Sequence, residues 1–380
     1  MILDDDHQAF REAVAAMAAD HVAPIADELD KTDRFPKQLI DVFAGMGLVQ
    51  LAVPEEYGGP GADLLSHCIA REEVAAAGSM ALAQLAGQNS IVVRALMDSG
   101  SDELKQRFLP LLAEGTRITC IAITEPEAGS DPALMRTRAR RDGSSWVING
   151  RKSFITWGSL AEYAVVFART NDTPRSRGIS AFLVETATPG WVVDRHNDKM
   201  GQHGVPNNEI LLEDLRVPAE NMIGEEGQGF RAAMEALHQN RPTVAGIAVG
   251  GARSAFDYAR AYARERSQGG RPILEYQGLR WKFADMATQI EAARNLVWSC
   301  ARAYDTGAPA SERVKLSSMA KLFAGEMVQY VTSTALQILG GHGYMKDHPV
   351  ERFMRDGRLI GIYEGTSEIQ RNIVAREVLR

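Results

Sequence analysis

The chain has 380 residues, 45% hydrophobic and 24% charged, with a net charge of −7 and a pI near 5.7. That composition suits a well-packed globular protein, and the length exceeds what one core usually spans, so two or three domains are expected. The acidic balance argues against a nucleic-acid partner, which would need a basic face.

Cys68, Cys120 and Cys300 are far apart and odd in number. They suggest neither a disulfide framework nor a CxxC metal site, and reduced thiols in a cytoplasmic protein are expected. The opening Met1-Ile2-Leu3-Asp4-Asp5-Asp6 lacks the basic start and apolar run of a secretory leader, and its acids are unlike a transit peptide. No apolar stretch is long enough to span a bilayer, so no membrane partner is expected.

Up to about residue 117 the pattern is helical and rich in alanine. Ser101 can cap a helix with Asp102 and Glu103 in its first turn, Leu104, Phe108, Leu111 and Leu112 on one face and Gly115 at its end. Tyr57-Gly58-Gly59-Pro60-Gly61 reads as a loop. From about residue 118 short β-branched and aromatic segments take over. Residues 146–148, the pair Asn149-Gly150 and residues 152–156 read as a hairpin. Residues 163–167, 179–184 and 209–215 read as further strands, spaced for antiparallel β rather than βαβ units. Val217-Pro218 closes this region. From about residue 225 the pattern is helical again, and Phe323, Met327, Val331, Ala335 and Ile338 mark one long buried face that Gly340 and Gly341 stop. The expected fold class is α+β, in three parts: an N-terminal helical domain (1–117), a middle antiparallel β domain (118–224) and a C-terminal helical domain (225–380).

Several common sites are missing from the sequence. No GxGxxG opens a helix after a strand, and there is no Walker A, HExxH or GxSxG motif. The histidines lack ligand spacing, so no metal is expected.

Three segments can carry chemistry. In the first, Tyr363-Glu364-Gly365-Thr366-Ser367, Ser367 and Gln370 fit a capping box, so a helix is expected from about Glu368 with Ile369, Ile373 and Val378 inward. Glu364 then lies in a turn before a helix N-terminus, where a carboxylate facing a cleft can act as a general base. Local sequence alone favours the plainer reading, a solvated turn acid. The second, Thr124-Glu125-Pro126 to Gly129-Ser130-Asp131, can bring backbone N–H groups and hydroxyls to a ligand, or be an ordinary connection. The glycines of the third, Gln337 to Gly341, can stop a helix or let a nucleotide approach the backbone.

Taken together, and with Phe154-Ile155-Thr156 and Glu265-Arg266, these segments resemble the acyl-CoA dehydrogenase family over nearly the whole chain and in the family's order. The resemblance implies a C-terminal domain like a four-helix bundle and one FAD per subunit. It places Ile121, Ile123, Thr124 and Ser130 on the flavin side of the β domain, and packs Phe154, Ile155 and Thr156 on the isoalloxazine ring. It sends Arg266 to the pyrophosphate of a neighbouring subunit's FAD, puts Gln268 and Gln277 in that shared site, and gives Gln337, Gly340 and Gly341 the adenosine end across an interface. Thr366 and Glu368 would touch the cofactor. Ser130, His238, Arg241, Gly365 and Arg376 would contact the acyl-CoA, although alone Arg241 and Arg376 would read as surface ion-pairing residues. A shared flavin site implies at least a dimer, and family habit a homotetramer built as a dimer of dimers.

The implied reaction removes the α-proton of a thioester with Glu364 and sends a hydride from the β-carbon to flavin N5, giving a trans-2-enoyl thioester and passing electrons to electron-transfer flavoprotein. The thioester carbonyl would accept from the Glu364 N–H. Some family members place the base immediately before the residue matching Arg241; here that position is Asn240, which cannot serve. Four positions depart from the common pattern: Gly269 for an aromatic residue, Trp157 for a small polar one, His203 for arginine and Glu368 for glutamine. Two alternatives stand beside this reading. One is a dehydrogenase or oxidase of an acyl-carrier-protein thioester. The other, which Gly269 keeps open, is a non-catalytic structural subunit of a heteromeric dehydrogenase.

Overall fold

The computed structural model describes residues 3–380. The N-terminal part is α1 (Asp5–His21), α2 (Ala26–Thr32), α3 (Gln38–Gly45), α4 (Leu64–Ala76), α5 (Ser90–Ser99) and α6 (Asp102–Ala113). The caps are those the sequence offers: the side chains of Asp4, Asp63 and Ser101 accept from the N–H groups of His7, Ser66 and Leu104. Leu104, Phe108 and Leu112 are buried on α6, as their spacing predicts, while Leu111 is only partly buried. Helix α4 is buried almost throughout, including Arg71, Glu72 and Glu73.

The middle part contributes β1 (Thr119–Ala122), β2 (Arg138–Asp142), β3 (Ser145–Thr156), β4 (Tyr163–Arg169), β5 (Ile179–Glu185), β6 (Trp191–His196), β7 (Asn207–Pro218) and β8 (Met222–Ile223). Seven of these run in the order β6-β7-β3-β2-β4-β5-β8, with β1 joined to β4. The pairings are antiparallel except β1 with β4 and the single β2–β4 contact. The hairpin expected at Asn149-Gly150 is not one. Strand β3 continues through it, and both halves pair with β7, Ile148 with Leu215 and Gly150 with Leu212. The register shifts by one there, because Asn149 alone faces both Glu213 and Asp214, so the bulge lies on β7 opposite the pair, and the Asn149 amide bridges to Asp214 by bonds of 2.8 and 3.0 Å across it. The true turn lies at Gly143, between β2 and β3. Strand β2, Arg138-Ala139-Arg140-Arg141-Asp142, went unseen because its charged residues mask the alternation.

The C-terminal part has three long helices, α7 (Gly229–Glu265), α8 (Gln277–Asp305) and α9 (Ala310–Leu339), and two short ones, α10 (Val350–Ile360) and α11 (Ser367–Val378). A small ribbon, β9 (Ser267–Gln268) with β10 (Arg271–Pro272), links α7 to α8. On α9, Met327, Val331, Ala335 and Ile338 are buried as expected, but Phe323 is exposed at the margin of that face. Gly340 stops α9 with φ +61°. Pro242 sits inside α7 and cannot donate to the carbonyl of residue 238. Ser317 on α9 fills that vacancy, its hydroxyl donating to His238 O at 2.6 Å.

One large apolar core runs from the N-terminal helices through one face of the sheet into α7, α8 and α9. A second, lined by α5, α6, β4 and β5, packs the other face. No helix among the described residues is long and apolar enough to cross a membrane.

Candidate active site

The three regions meet at a cavity of about 710 Å³. The N-terminal helices bring Arg71, Gln84, Gln88, Ile91 and Val92 to it, the sheet brings Ile121, Ile123, Thr124, Ser130, Phe154, Ile155, Thr156 and Trp157, and the C-terminal helices bring Asn240, Arg241, Tyr363, Glu364, Gly365 and Thr366.

Glu364 lies between α10 and α11 in a left-handed conformation, φ +54°, followed by Gly365 at φ +91°. A non-glycine residue there costs on the order of 1–3 kcal/mol and persists only where its surroundings over-determine it. Here they do. The Glu364 carbonyl accepts from Arg241 Nε at 3.2 Å and Gln370 Nε2 at 3.1 Å; the Gly365 carbonyl accepts from Gln370 Nε2 at 3.0 Å and Lys321 Nζ at 2.6 Å. A Cβ on Gly365 would come within 2.7 Å of that Gln370 nitrogen. The capping box is therefore not formed as expected. Thr366, one residue earlier, is the cap, its hydroxyl accepting from Ile369 N, and the buried Gln370 turns inward to hold the Glu364 turn instead. Ile369 and Ile373 are partly buried, while Val378 is 54% exposed because α11 meets solvent at its last turn.

The carboxylate is polarised in its contacts. Oε1 accepts from Asn240 Nδ2 at 2.6 Å, while Oε2 has no partner. The Glu364 N–H makes no hydrogen bond within the described chain. Burial raises the pKa of this carboxyl above the ordinary carboxylate range, against the lowering pull of Arg71, the Asn240 bond, Arg241 and Lys321. Asn240 is itself oriented: Arg71 Nη1 donates to Thr243 Oγ1 at 2.8 Å, and that hydroxyl lies 2.7 Å from Asn240 O and 3.1 Å from its Oδ1. His238 is pushed down to about 3 by burial and by the charges of Arg241 and Arg376, so it is neutral and its Nδ1 accepts from Arg241 Nη1 at 2.5 Å. Arg241 is buried, unlike a surface ion-pairing residue.

On the sheet side, Phe154 (φ +59°) lies within a register break of β3 between Lys152 and Ile155, and Trp157 (φ +66°) follows directly after the strand. Phe154 is 66% exposed although apolar, while Trp157 is buried with its ring 4.9 Å from that of Phe35 in an edge-on contact. Thr156 Oγ1 accepts from Asn207 Nδ2 at 3.2 Å. Beneath the 124–131 loop, buried Glu125 accepts from Lys152 Nζ at 2.8 Å and from the N–H groups of Arg136 (2.5 Å) and Thr137 (3.0 Å). Burial pushes Lys152 down to about 8 even beside that carboxylate. The loop is thereby anchored from below, with Thr124 lining the cavity and Ser130 exposed at its edge. A flat apolar group suits the bare Phe154 face, and the Thr124, Ser130, Thr156 and Thr366 hydroxyls suit its polar margin, so the residues present fit a flavin.

Of the residues singled out in the sequence, the cavity gathers Ile121, Ile123, Thr124, Ser130, Phe154, Ile155, Thr156, Arg241, Glu364, Gly365 and Thr366. His238 stands just behind, through Arg241. The others do not line it. Arg266, Gln268 and Gln277 are exposed around the β9–β10 ribbon, Gln337, Gly340 and Gly341 are exposed at the end of α9, and Glu368 and Arg376 are exposed on α11, Arg376 bonded to Glu377 at 2.9 Å. Arg71 and Lys321 carried no signal in the sequence, since each gains its role from partners remote along the chain, and Gln370 carried only a capping signal, not the clamp it forms.

Comparison with known proteins agrees with this geometry. The descriptions "Acyl-CoA dehydrogenase, N-terminal domain", "middle domain" and "C-terminal domain" match residues 4–116, 120–215 and 227–379. A short-chain-specific acyl-CoA dehydrogenase of Clostridium acetobutylicum is 40% identical over 378 residues, covering 100% of this chain and 99% of its own. The solved butyryl-CoA dehydrogenase of Megasphaera elsdenii is 37% identical with a TM-score of 0.96, covering 100% of this chain and 99% of its own. A prolyl acyl carrier protein oxidase is 28% identical with a TM-score of 0.93, covering 99% of both. The chain is thus an oxidoreductase that belongs to the acyl-CoA dehydrogenase family, whose members are FAD-dependent flavoproteins.

Proposed function

We propose that the protein dehydrogenates an acyl-CoA thioester between its α and β carbons, with Glu364 as the base and electron-transfer flavoprotein as the electron acceptor. The single observation behind this is the Glu364 carboxylate, lining a cavity that also bears the bare Phe154 face, with Oε1 held by Asn240 and Oε2 unpartnered. Bound FAD supplies a hydride acceptor. Ile121, Ile123, Thr124, Phe154, Ile155 and Thr156 would hold it, and Thr366 would touch it.

The chain's own residues would do the rest. Asn240 and the donors to the 364–365 carbonyls hold the base in one orientation, which lowers the reorganisation needed at the moment of proton transfer. The unpartnered Oε2 takes the α-proton. The unengaged Glu364 N–H is positioned to donate to the thioester carbonyl, where negative charge develops. A base with a raised pKa is better matched to a weak carbon acid. Gly365 and Arg241, with neutral His238 behind it, would contact the acyl-CoA. The exposed Arg266, Gln268, Gln277, Gln337, Gly340 and Gly341 are suited to reach a neighbouring subunit's FAD in a homotetramer.

The decisive experiment is anaerobic bleaching of the protein's flavin by a panel of acyl-CoA and acyl-carrier thioesters. Bleaching by free CoA esters is expected. Bleaching by carrier-bound esters alone, or peroxide formation in air, would favour the acyl-carrier oxidase reading, to which the likeness to the prolyl acyl carrier protein oxidase lends support. A colourless protein that binds no flavin would favour the structural-subunit reading.

A further inference from the structure

One wall of the cavity carries a charge that no ion pair among the described residues neutralises. Arg71, on α4, is 6% exposed and lines the cavity. Its bonds all go to neutral acceptors: Nε to Ala86 O at 2.8 Å, Nη1 to Thr243 Oγ1 at 2.8 Å and Nη2 to Gly87 O at 3.4 Å. Those bonds use three of its five N–H groups. Among the described residues it forms no ion pair, and Glu364 is not within ion-pair distance.

The contrast with its neighbours on the helix is direct. Glu72 is paired with Arg253 and Arg294, and Glu73 with Arg11 and Arg253. The fold therefore gives both buried acids of α4 ion pairs and gives the buried base beside them none, leaving it only the longer-range attraction of Glu364. A second guanidinium worsens the imbalance. Arg94 on α5 is 8% exposed, its Nη1 has no partner, and it makes no ion pair with Asp98, the acid nearest it on its own helix. Arg71 and Arg94 repel one another, and Arg94 is pushed down to about 10, by burial first and then by Arg71. The ring of His67, between them and Ser90, is neutral and leaves Nε2 without a partner. Gly87, whose carbonyl accepts from Arg71, has φ +65°, and a Cβ there would press on Ser90 Oγ at 2.9 Å and His67 Nδ1 at 3.0 Å.

Burying an unpaired cation costs several kcal/mol, and a counter-ion with matched hydrogen bonds repays it. An aliphatic acyl tail gains nothing from such a wall and would be better served by leucine. The wall is suited to a ligand that brings an anion into the cavity. Resting on the thioester-dehydrogenase reading above, we propose that Arg71 is a specificity-determining residue that receives a carboxylate carried at the far end of the substrate's acyl chain, so that the preferred substrates are ω-carboxyacyl thioesters. Guanidinium and carboxylate match in the planar, two-pronged manner that makes arginine selective for this group. Arg94, one layer behind, adds to the positive field that draws the anion in.

The test is flavin bleaching and steady-state turnover of the holoenzyme with glutaryl-CoA against pentanoyl-CoA, and adipoyl-CoA against hexanoyl-CoA. The expected result is a kcat/KM for each carboxylated ester at least about tenfold above its neutral counterpart, and a fall in that ratio of on the order of 10- to 100-fold in Arg71→Met, partly restored in Arg71→Lys. The flavin-to-protein ratio reports whether the variants fold, and the wild-type preference stands without them. A wild type that favours the neutral esters overturns the inference and leaves the dehydrogenase reading intact. An Arg71→Met variant that loses both classes equally also overturns it, placing Arg71 behind the base through Thr243 and Asn240. Failure of every thioester to bleach the flavin would remove the dehydrogenase reading and this inference together.

Discussion

Asn240 Nδ2 donates to Glu364 Oε1 at 2.6 Å, joining the middle of α7 to the turn before α11 across 124 residues of chain. The bond favours the charged form of a carboxyl whose charge burial disfavours. Deleting the donor in Asn240→Ala should therefore raise the pKa of Glu364 further. Only the carboxylate can act as base, so the acid limb of kcat should move to higher pH, with a lower rate at any pH within the limb. An unmoved acid limb in the rate of anaerobic flavin reduction would show that this bond does not set the charge of the base.

Glu364→Gln keeps the shape of the side chain and removes its basicity. Flavin content should match that of the wild type, because most of the residues proposed to hold the flavin lie on the sheet and the turn is held through main-chain carbonyls. Turnover should fall on the order of 10²- to 10⁴-fold, the usual contribution of a positioned base. Turnover close to wild type would move the base elsewhere.

Gln370 is wholly buried and donates to two successive carbonyls. In Gln370→Ala both bonds vanish, while Arg241 and Lys321 still hold one carbonyl each. The left-handed turn should loosen rather than collapse, lowering stability by about 1–3 kcal/mol. A lower thermal midpoint of the holoenzyme together with reduced kcat is the expected pair of readings. Loss of stability with full activity would show that the turn does not depend on this clamp.

His203 stands where an arginine is common, and the structure gives it a cation's surroundings. Nδ1 and Nε2 lie 2.8 Å from the carbonyls of Asp30 and Lys199, and the Asp30 carboxylate is 2.9 Å away. Burial alone would lower its pKa, but the two carbonyl bonds and the charges of Asp30 and Asp33 outweigh burial and raise it. A histidine whose folded value lies above the unfolded one, about 6.5, adds stability that is complete below the unfolded value and fades as pH rises through the folded value. His203→Gln should therefore destabilise the protein most in mildly acidic buffer, with the gap from wild type narrowing as pH rises. Thermal midpoints of both proteins across that range measure it, and a gap independent of pH would mean that the imidazole is neutral when folded.

Features that depend on neighbours a few residues apart could be read from the sequence. Ser101 caps α6 because its acceptor and the Leu104 N–H are adjacent in any helical start, and the division into helical, β and helical stretches follows from periodicities that each segment carries alone. The turn motif around Glu364 and the loop at Thr124 were recognisable as strings. Tertiary structure alone decided what those strings do. Asn149-Gly150 carries a turn signal, yet β7 lies along both halves of β3 and keeps the pair in the strand, opposite a bulge of its own. Gln370 looked like half of a capping box, yet two carbonyls four residues or more behind it claim its amide. Arg71 is one more charge in a run of three on α4, Arg71-Glu72-Glu73, and only folding shows that the two acids find arginines from other helices while it finds none. The physical reason is that local propensity fixes the backbone, whereas pairing of buried charge is settled by which distant segments the packed core brings within reach.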